Sequence, residues 1–150
     1  MLHYDASSSD PGAVAWLVRD PRCRVSYNWL VLDDGNDVEV APAEARAWHA
    51  GVCRSSDARL PYADANSAFY GLAVAARAGE VVTDKQYAAV VRRVVRLYGV
   101  NRWPLEETFR IVGHASEAFP RGRKVDPAGP DACRPVLNVD EVRRALALFR

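Results

Sequence analysis

A capping box followed by an apolar stripe constrains this chain more than any other feature. Thr83 stands three residues ahead of Gln86, a spacing at which hydroxyl and amide side chains each accept from the other residue's backbone N–H. Tyr87, Val90, Val91, Val94, Val95 and Tyr98 then recur at helical spacing, with Arg92, Arg93 and Arg96 on the other face. Gly99 is well placed to end the helix. A helix with one apolar face needs a surface to cover, and the flanking sequence supplies strands. Arg24–Leu32 is β-branched and aromatic, Asp33-Asp34-Gly35-Asn36 has turn chemistry, and Asp37–Ala41 alternates, which together predict a β-hairpin. Phe69–Ala75 fits a buried strand, and Phe109–Val112 reads as one more, ending at Gly113-His114. Asp10-Pro11 opens a first helix over about 11–20, which Asp20-Pro21 stops. A last helix starts at Asn138, with Glu141 three residues on, and is expected to bury Val142, Leu146 and Phe149. Strands alternating with helices predict an α/β fold, and the hairpin makes its central sheet mixed.

The 150 residues fit a single domain over 1–150, with no repeat and no second domain. A chain of this size builds a core without help from metal or disulfides, so a metal site here is functional before it is structural. Twenty Lys plus Arg against nineteen Asp plus Glu give a formal charge of +1, so no global field draws the chain to nucleic acid or an anionic membrane. No apolar run reaches the roughly eighteen residues of a membrane span, and MLHYDASSSDPG lacks the basic and apolar regions of a secretory signal. The expectation is synthesis in the cytoplasm. Cys23, Cys53 and Cys133 are odd in number, widely spaced and without a CxxC, which predicts ordinary thiols over a zinc ribbon or disulfide framework.

Chemistry that needs imidazole has only His3, His49 and His114 to draw on. His3 ends a first short strand and His114 follows the last one, so both can project toward one edge of the sheet, where open α/β folds hold ligands. Asp126, in RKVDP, follows twelve residues later across a Pro- and Gly-rich loop over 115–135 that can fold back. Two imidazoles and one carboxylate, with a fourth position for water, make the ligand set of a catalytic zinc. Spacing alone also fits a His3 that caps the terminus and a half-buried, satisfied His114. A free amino terminus with histidine third can instead chelate copper or nickel in a square plane. Residues 51–66 lack periodicity and read as a long surface loop of the kind that often carries function.

The blocks LHYDAS, SYNWLVLDDG, AWHAG, IVGH and RKVDP occur in that order over residues 2–127. In this the chain resembles the zinc-dependent N-acetylmuramoyl-L-alanine amidases related to phage lysozyme-type amidases and peptidoglycan recognition proteins. The resemblance implies one zinc ion held by His3, His114 and Asp126, at one edge of a mixed sheet flanked by helices. It implies assisting roles for Tyr27 of the SYN block and Lys124, two residues before the third ligand. Trp48 and His49 of AWHAG are expected to line the substrate cleft, although Tyr27 and Trp48 can also be core residues and Lys124 part of a solvated loop. Cys133 is a substitute candidate for the third ligand. Two departures stand out: Asp5 occupies a position where threonine is usual, and FYGLA places Ala73 where recycling amidases carry a glutamate in a motif like SIGIE.

The activity implied is hydrolysis of the amide between N-acetylmuramic acid and L-alanine in peptidoglycan, without a separate wall-binding domain. The expected role is a phage or prophage endolysin, made in the cytoplasm and acting on the wall after release. The alternatives are a cytosolic amidase recycling muropeptides, which the missing acid at Ala73 disfavours, and a catalytically inactive peptidoglycan-binding module. The expected partner is peptidoglycan or a muropeptide, with no nucleic acid and no membrane, and the chain is expected to act as a monomer.

Overall fold

The computed structural model describes residues 1–6, 10–20, 22–127 and 136–149. Among them, four strands form one mixed sheet in the order β1-β4-β2-β3. Strand β1 (Leu2–Tyr4) lies at an edge and runs parallel to β4 (Leu72–Val74), which is parallel in turn to β2 (Trp29–Val31). Strand β3 (Asp37–Glu39) closes the other edge antiparallel to β2, so the expected hairpin is present.

The period of two along each strand divides the core between two faces. Leu2, Trp29, Val31, Leu72 and Val74 point toward α3 (Asp84–Asn101) and α5 (Val139–Ala147), packing with Val90, Val94, Tyr98, Val142 and Leu146. Leu30 and Ala73 point the other way, toward Ala13, Val14 and Leu17 of α1 (Asp10–Arg19), together with Tyr27. His3 is the register partner of Ala73 and so shares this second face. A shift of one residue in β1 would put His3 into the larger core and Leu2 into the site.

The capping box is present as read: the Thr83 hydroxyl accepts from Gln86 N at 3.2 Å and Gln86 Oε1 accepts from Thr83 N at 3.0 Å. Gln86 Nε2 donates to Ala75 O at 2.8 Å, tying the helix start to the end of β4. Asn138 caps α5 by accepting from Asp140 N and Glu141 N.

Several expectations are corrected. Helix α3 does not end at Gly99; it runs to Asn101, and Arg102 takes the left-handed conformation as its C-cap. Trp103-Pro104 follows, and proline both lacks the N–H and restricts the residue before it, which makes it the effective stop. Phe109–Val112 is not a strand. Thr108–Arg110 forms a 3-10 turn, and only a Leu2–Gly113 bridge, with Leu2 N donating to Val112 O at 2.8 Å, continues the sheet past β1. Phe149 lies beyond the end of α5 and is 55% exposed. The strand expected over Phe69–Ala75 is confined to Leu72–Val74, because Ala65–Ala68 turns as the short helix α2 before it. No helix among the described residues is long and apolar enough to cross a membrane.

The helical placement of Gly99 generates a test. A Cβ there meets nothing within 4 Å, so Gly99→Ala should stabilise the protein by about 0.5–1 kcal/mol, the helix propensity difference. A lowered thermal midpoint would contradict the continuous helix.

Candidate active site

His3, His114 and Asp126 converge at the edge strand, with one potential ligand atom from each within 4.8 Å of the others. His3 comes from β1, which β4 holds on one side; Asp5 extends that hold, its N donating to Val74 O at 3.0 Å and its carboxylate accepting from Ala76 N at 3.2 Å. His114 opens the short helix α4 (His114–Glu117), where a strand end was expected. Asp126 returns to it because Ala115 N donates to Asp126 O at 2.7 Å. The close approach requires glycine at 113, since a Cβ there would lie 2.8 Å from Pro127 Cδ and 3.1 Å from Val139 Cγ2. The GH and DP pairs are thus two halves of one contact.

Asp126 Oδ2 lies 2.7 Å from His3 Nδ1 and 3.0 Å from His114 Nδ1, and all three side chains are buried. Burial pushes His3 down to about 4. Burial alone would raise the Asp126 carboxyl, but hydrogen bonds from the two Nδ1 atoms, where these carry a proton, hold it below the ordinary carboxylate range. His114 Nε2 lies 2.7 Å from Ala50 O. A carbonyl only accepts, so Nε2 carries the proton and a neutral His114 presents a bare Nδ1 to the carboxylate. Two acceptors 3.0 Å apart need a cation between them, either a proton taken up by the cluster or a metal ion. This donor set fits a divalent metal.

Around this group lies a cleft of about 430 Å³, lined in part by Arg24, Trp48, His49, His114, Arg123 and Lys124. Trp48 is 57% exposed, with the Arg46 guanidinium stacked 3.7 Å from its ring centroid, while Arg46 is also paired with Asp64 at 2.9 Å. Lys124 is exposed on the cleft. Tyr27 is buried with its ring centroid 5.2 Å from that of His3, and burial pushes its phenol well above the usual value, so the hydroxyl stays protonated. His49 reaches the cleft with one edge but is only 5% exposed, with Nδ1 3.1 Å from His3 Nε2 and Nε2 3.1 Å from Phe69 O. His3, His114 and Asp126 thus form this centre and Trp48, His49 and Lys124 line its cleft, while Tyr27 packs beside the His3 ring as part of the smaller core and Cys133 lies outside the described residues. Cys23 and Cys53 are free thiols.

Sequence reasoning passed over Glu117. It is 1% exposed and accepts from Ser56 N at 3.1 Å and Tyr62 Oη at 2.8 Å, with Ser56 Oγ also donating to it. It fastens the 51–66 segment to the helix that carries His114. The one available signal was an acid three residues after that histidine.

A helix-flanked mixed sheet with two imidazoles and a carboxylate buried at its edge defines a candidate metal-site hydrolase. Residues 1–129 match the family model of N-acetylmuramoyl-L-alanine amidase. The chain belongs to this family and is an N-acetylmuramoyl-L-alanine amidase. Among solved structures it is similar to one described as the crystal structure of a Se-Met AmpD derivative, at 25% identity and a TM-score of 0.72, over 97% of this chain and 82% of that one. No curated protein matches it.

The Gly113–Pro127 contact can be tested. Gly113→Ala must displace the proline ring that follows Asp126, at a cost of about 1–3 kcal/mol. Thermal unfolding should show that loss, and metal titration should show weaker binding than in Gly99→Ala. Metal affinity equal to that of the parent would mean that the contact does not position Asp126.

Proposed function

We propose that the chain cleaves the amide between the lactyl group of N-acetylmuramic acid and L-alanine, using one zinc ion held by His3, His114 and Asp126. The observation that carries this reading is the convergence of two imidazole nitrogens and an anionic oxygen on one buried point. Two imidazoles and a carboxylate with a further position for water are a catalytic zinc set. A zinc ion held by these three residues would lower the pKa of a coordinated water toward neutrality and would polarise the scissile carbonyl.

The remaining chemistry falls to the chain. The protonated Tyr27 hydroxyl and the Lys124 ammonium are suited to stabilise negative charge developing on the carbonyl oxygen. With Ala73 beside His3 in place of an acid, Tyr27 or a water held at the metal site is our candidate for passing a proton to the leaving amine of L-alanine. Trp48, backed by Arg46, offers a flat platform for substrate at the cleft mouth, and His49 contributes to its wall.

The missing acid at position 73 supports action on intact wall peptidoglycan, as a phage or prophage endolysin that reaches the wall after release from the cytoplasm and works as a monomer. The likeness to AmpD over nearly the whole chain fits the alternative, a cytosolic amidase recycling soluble muropeptides. An inactive binding module is the third reading, and the complete ligand set argues against it.

One experiment separates them. The protein is incubated with purified sacculi and with soluble muropeptides, with and without a chelator, while new L-alanine amino termini and new reducing ends are followed. Amino termini should appear, vanish with the chelator and return with zinc. Reducing ends without amino termini would mean a glycosidase and defeat the proposal. Preference for sacculi supports the endolysin, preference for muropeptides the recycling enzyme, and binding without product the inactive module.

Substitutions sharpen the assignment. His3→Ala, His114→Ala and Asp126→Ala should abolish turnover and lower bound zinc. Tyr27→Phe and Lys124→Ala should keep zinc and lose on the order of 10²–10³ in kcat, as expected for a lost charge-stabilising donor. Trp48→Ala should raise KM. Full zinc content in Asp126→Ala would show a misassigned third ligand, with Cys133 next to test.

A further inference from the structure

His49 makes two contacts that together fix where its proton sits. Its Nε2 lies 3.1 Å from the Phe69 carbonyl, which only accepts, so Nε2 is the protonated nitrogen and Nδ1 presents a lone pair. That lone pair faces His3 Nε2 at 3.1 Å. Two bare nitrogens at this distance would repel, so His3 Nε2 must carry a proton and donate it to His49. In a neutral His3 ring this leaves Nδ1 bare 2.7 Å from Asp126 Oδ2, a second pair of facing acceptors that needs a cation between them.

The ring of His49 is held so that it can do this. Its backbone N donates to Asn66 Oδ1 at 2.9 Å, and Gly71 leaves room for the ring, since a Cβ at 71 would lie 2.8 Å from His49 Cγ and Cδ2. His114 has the same service from a single bond, its Nε2 donating to Ala50 O. Each histidine of the cluster is therefore anchored on a backbone carbonyl, one directly and the other through a second imidazole.

We infer that His49 is a positioning residue that holds His3 in its Nε2-protonated tautomer, so that Nδ1 faces the metal site as a lone pair. The inference rests on the metal reading above. Without His49 nothing opposes a His3 Nδ1–H donated to the Asp126 carboxylate, and a metal would then have to expel that proton before binding. With it, that tautomer would set His3 Nε2 and His49 Nδ1 as two facing lone pairs unless His49 gave up its bond to Phe69 O. His49 removes the competing tautomer in advance, as hydrogen-bonding partners of metal-ligating histidines generally do.

The test uses the full chain and zinc alone as the probe. Two-bond proton–nitrogen spectra of the imidazoles, recorded metal-free at mildly alkaline pH and again with zinc, read the tautomer of His3 directly. Zinc affinity is measured by competition with a chromophoric chelator for the parent, His49→Asn, His49→Gln and His49→Phe. Asparagine can place an acceptor oxygen where Nδ1 lies; glutamine reaches toward Phe69 instead, and phenylalanine only fills the space. The parent should show a protonated His3 Nε2 in both states. His49→Gln and His49→Phe should bind zinc about 10- to 100-fold more weakly, with His49→Asn within about threefold of the parent. In metal-free His49→Gln, His3 should move to the Nδ1-protonated form.

An unprotonated His3 Nε2 in the parent would overturn the inference without any variant, as would parental zinc affinity in both His49→Gln and His49→Phe. Equal losses in the asparagine and glutamine variants would also overturn it, since the acceptor would then not be what matters. Should His49→Phe fail to fold, the glutamine variant and the parent spectrum still decide. A parent that binds no zinc defeats the metal reading instead, while its metal-free spectrum still reports on the His3–His49 bond.

Discussion

The contact on which the site depends is that of one carboxylate oxygen, Asp126 Oδ2, with two imidazole nitrogens, one from the start of the chain and one from the segment just before the aspartate. His3 is 123 residues from Asp126 and His114 only twelve, so the group exists only if the first strand is delivered to the edge of a finished sheet. Parallel pairing of β1 with β4 does this, and the Leu2–Gly113 bridge sets the distance to the second histidine. Gly113 and Pro127 then bring the third residue in. The cluster is electrostatically incomplete by itself, with an anionic oxygen against bare nitrogens away from solvent. A cation would complete it, and because the donors are assembled only in the folded chain, a metal bound there would also stabilise the fold.

The elements legible in the sequence are those whose stabilising contacts are local. The Thr83–Gln86 box closes within one turn, and the Asp33–Asn36 turn joins adjacent strands. Phe109–Val112 misled because strand composition forms a strand only where a partner edge is available. Beside it runs β1, three residues long, and the backbone obtains one bridge from it. Gly99 misled for the opposite reason: it faces open space, so nothing in the packing forces a stop, and the helix continues until the sequence Trp103-Pro104 ends it. Phe149 lies past the last turn of α5, outside the helical spacing that carries Val142 and Leu146 into the core.

At the site, residue identity was legible and residue function only partly so. His3, His114 and Asp126 could be named because their motif blocks keep their order, and Tyr27 and Lys124 followed from the same blocks. What His49 touches could not be read, since it depends on a carbonyl twenty residues away and a ring forty-six residues away. Glycine at 71 is part of the same arrangement, and in the sequence it looks only like a break in an apolar run. A tautomer is a property of a hydrogen-bond chain in three dimensions, and no one-dimensional pattern encodes it.

The near-neutral charge of the chain acquires a different meaning once its cations are located. Arg24, Arg46, Arg123 and Lys124 all line the cleft, where among the described lining residues Asp64 is the one acid and is already paired with Arg46. Arg123 is tied to the Ala50 and Val52 carbonyls, which fixes its guanidinium without neutralising it. Among the described residues neither Arg24 nor Lys124 makes an ion pair, so their charge is not cancelled by a contact partner. At physiological ionic strength such a field extends only about 8 Å. It therefore acts on a substrate already in the cleft and contributes little to attraction over longer distances. A net charge of +1 therefore averages over a surface whose cations are gathered in part on this cleft, so the local field at the site differs from what the whole-chain count suggests.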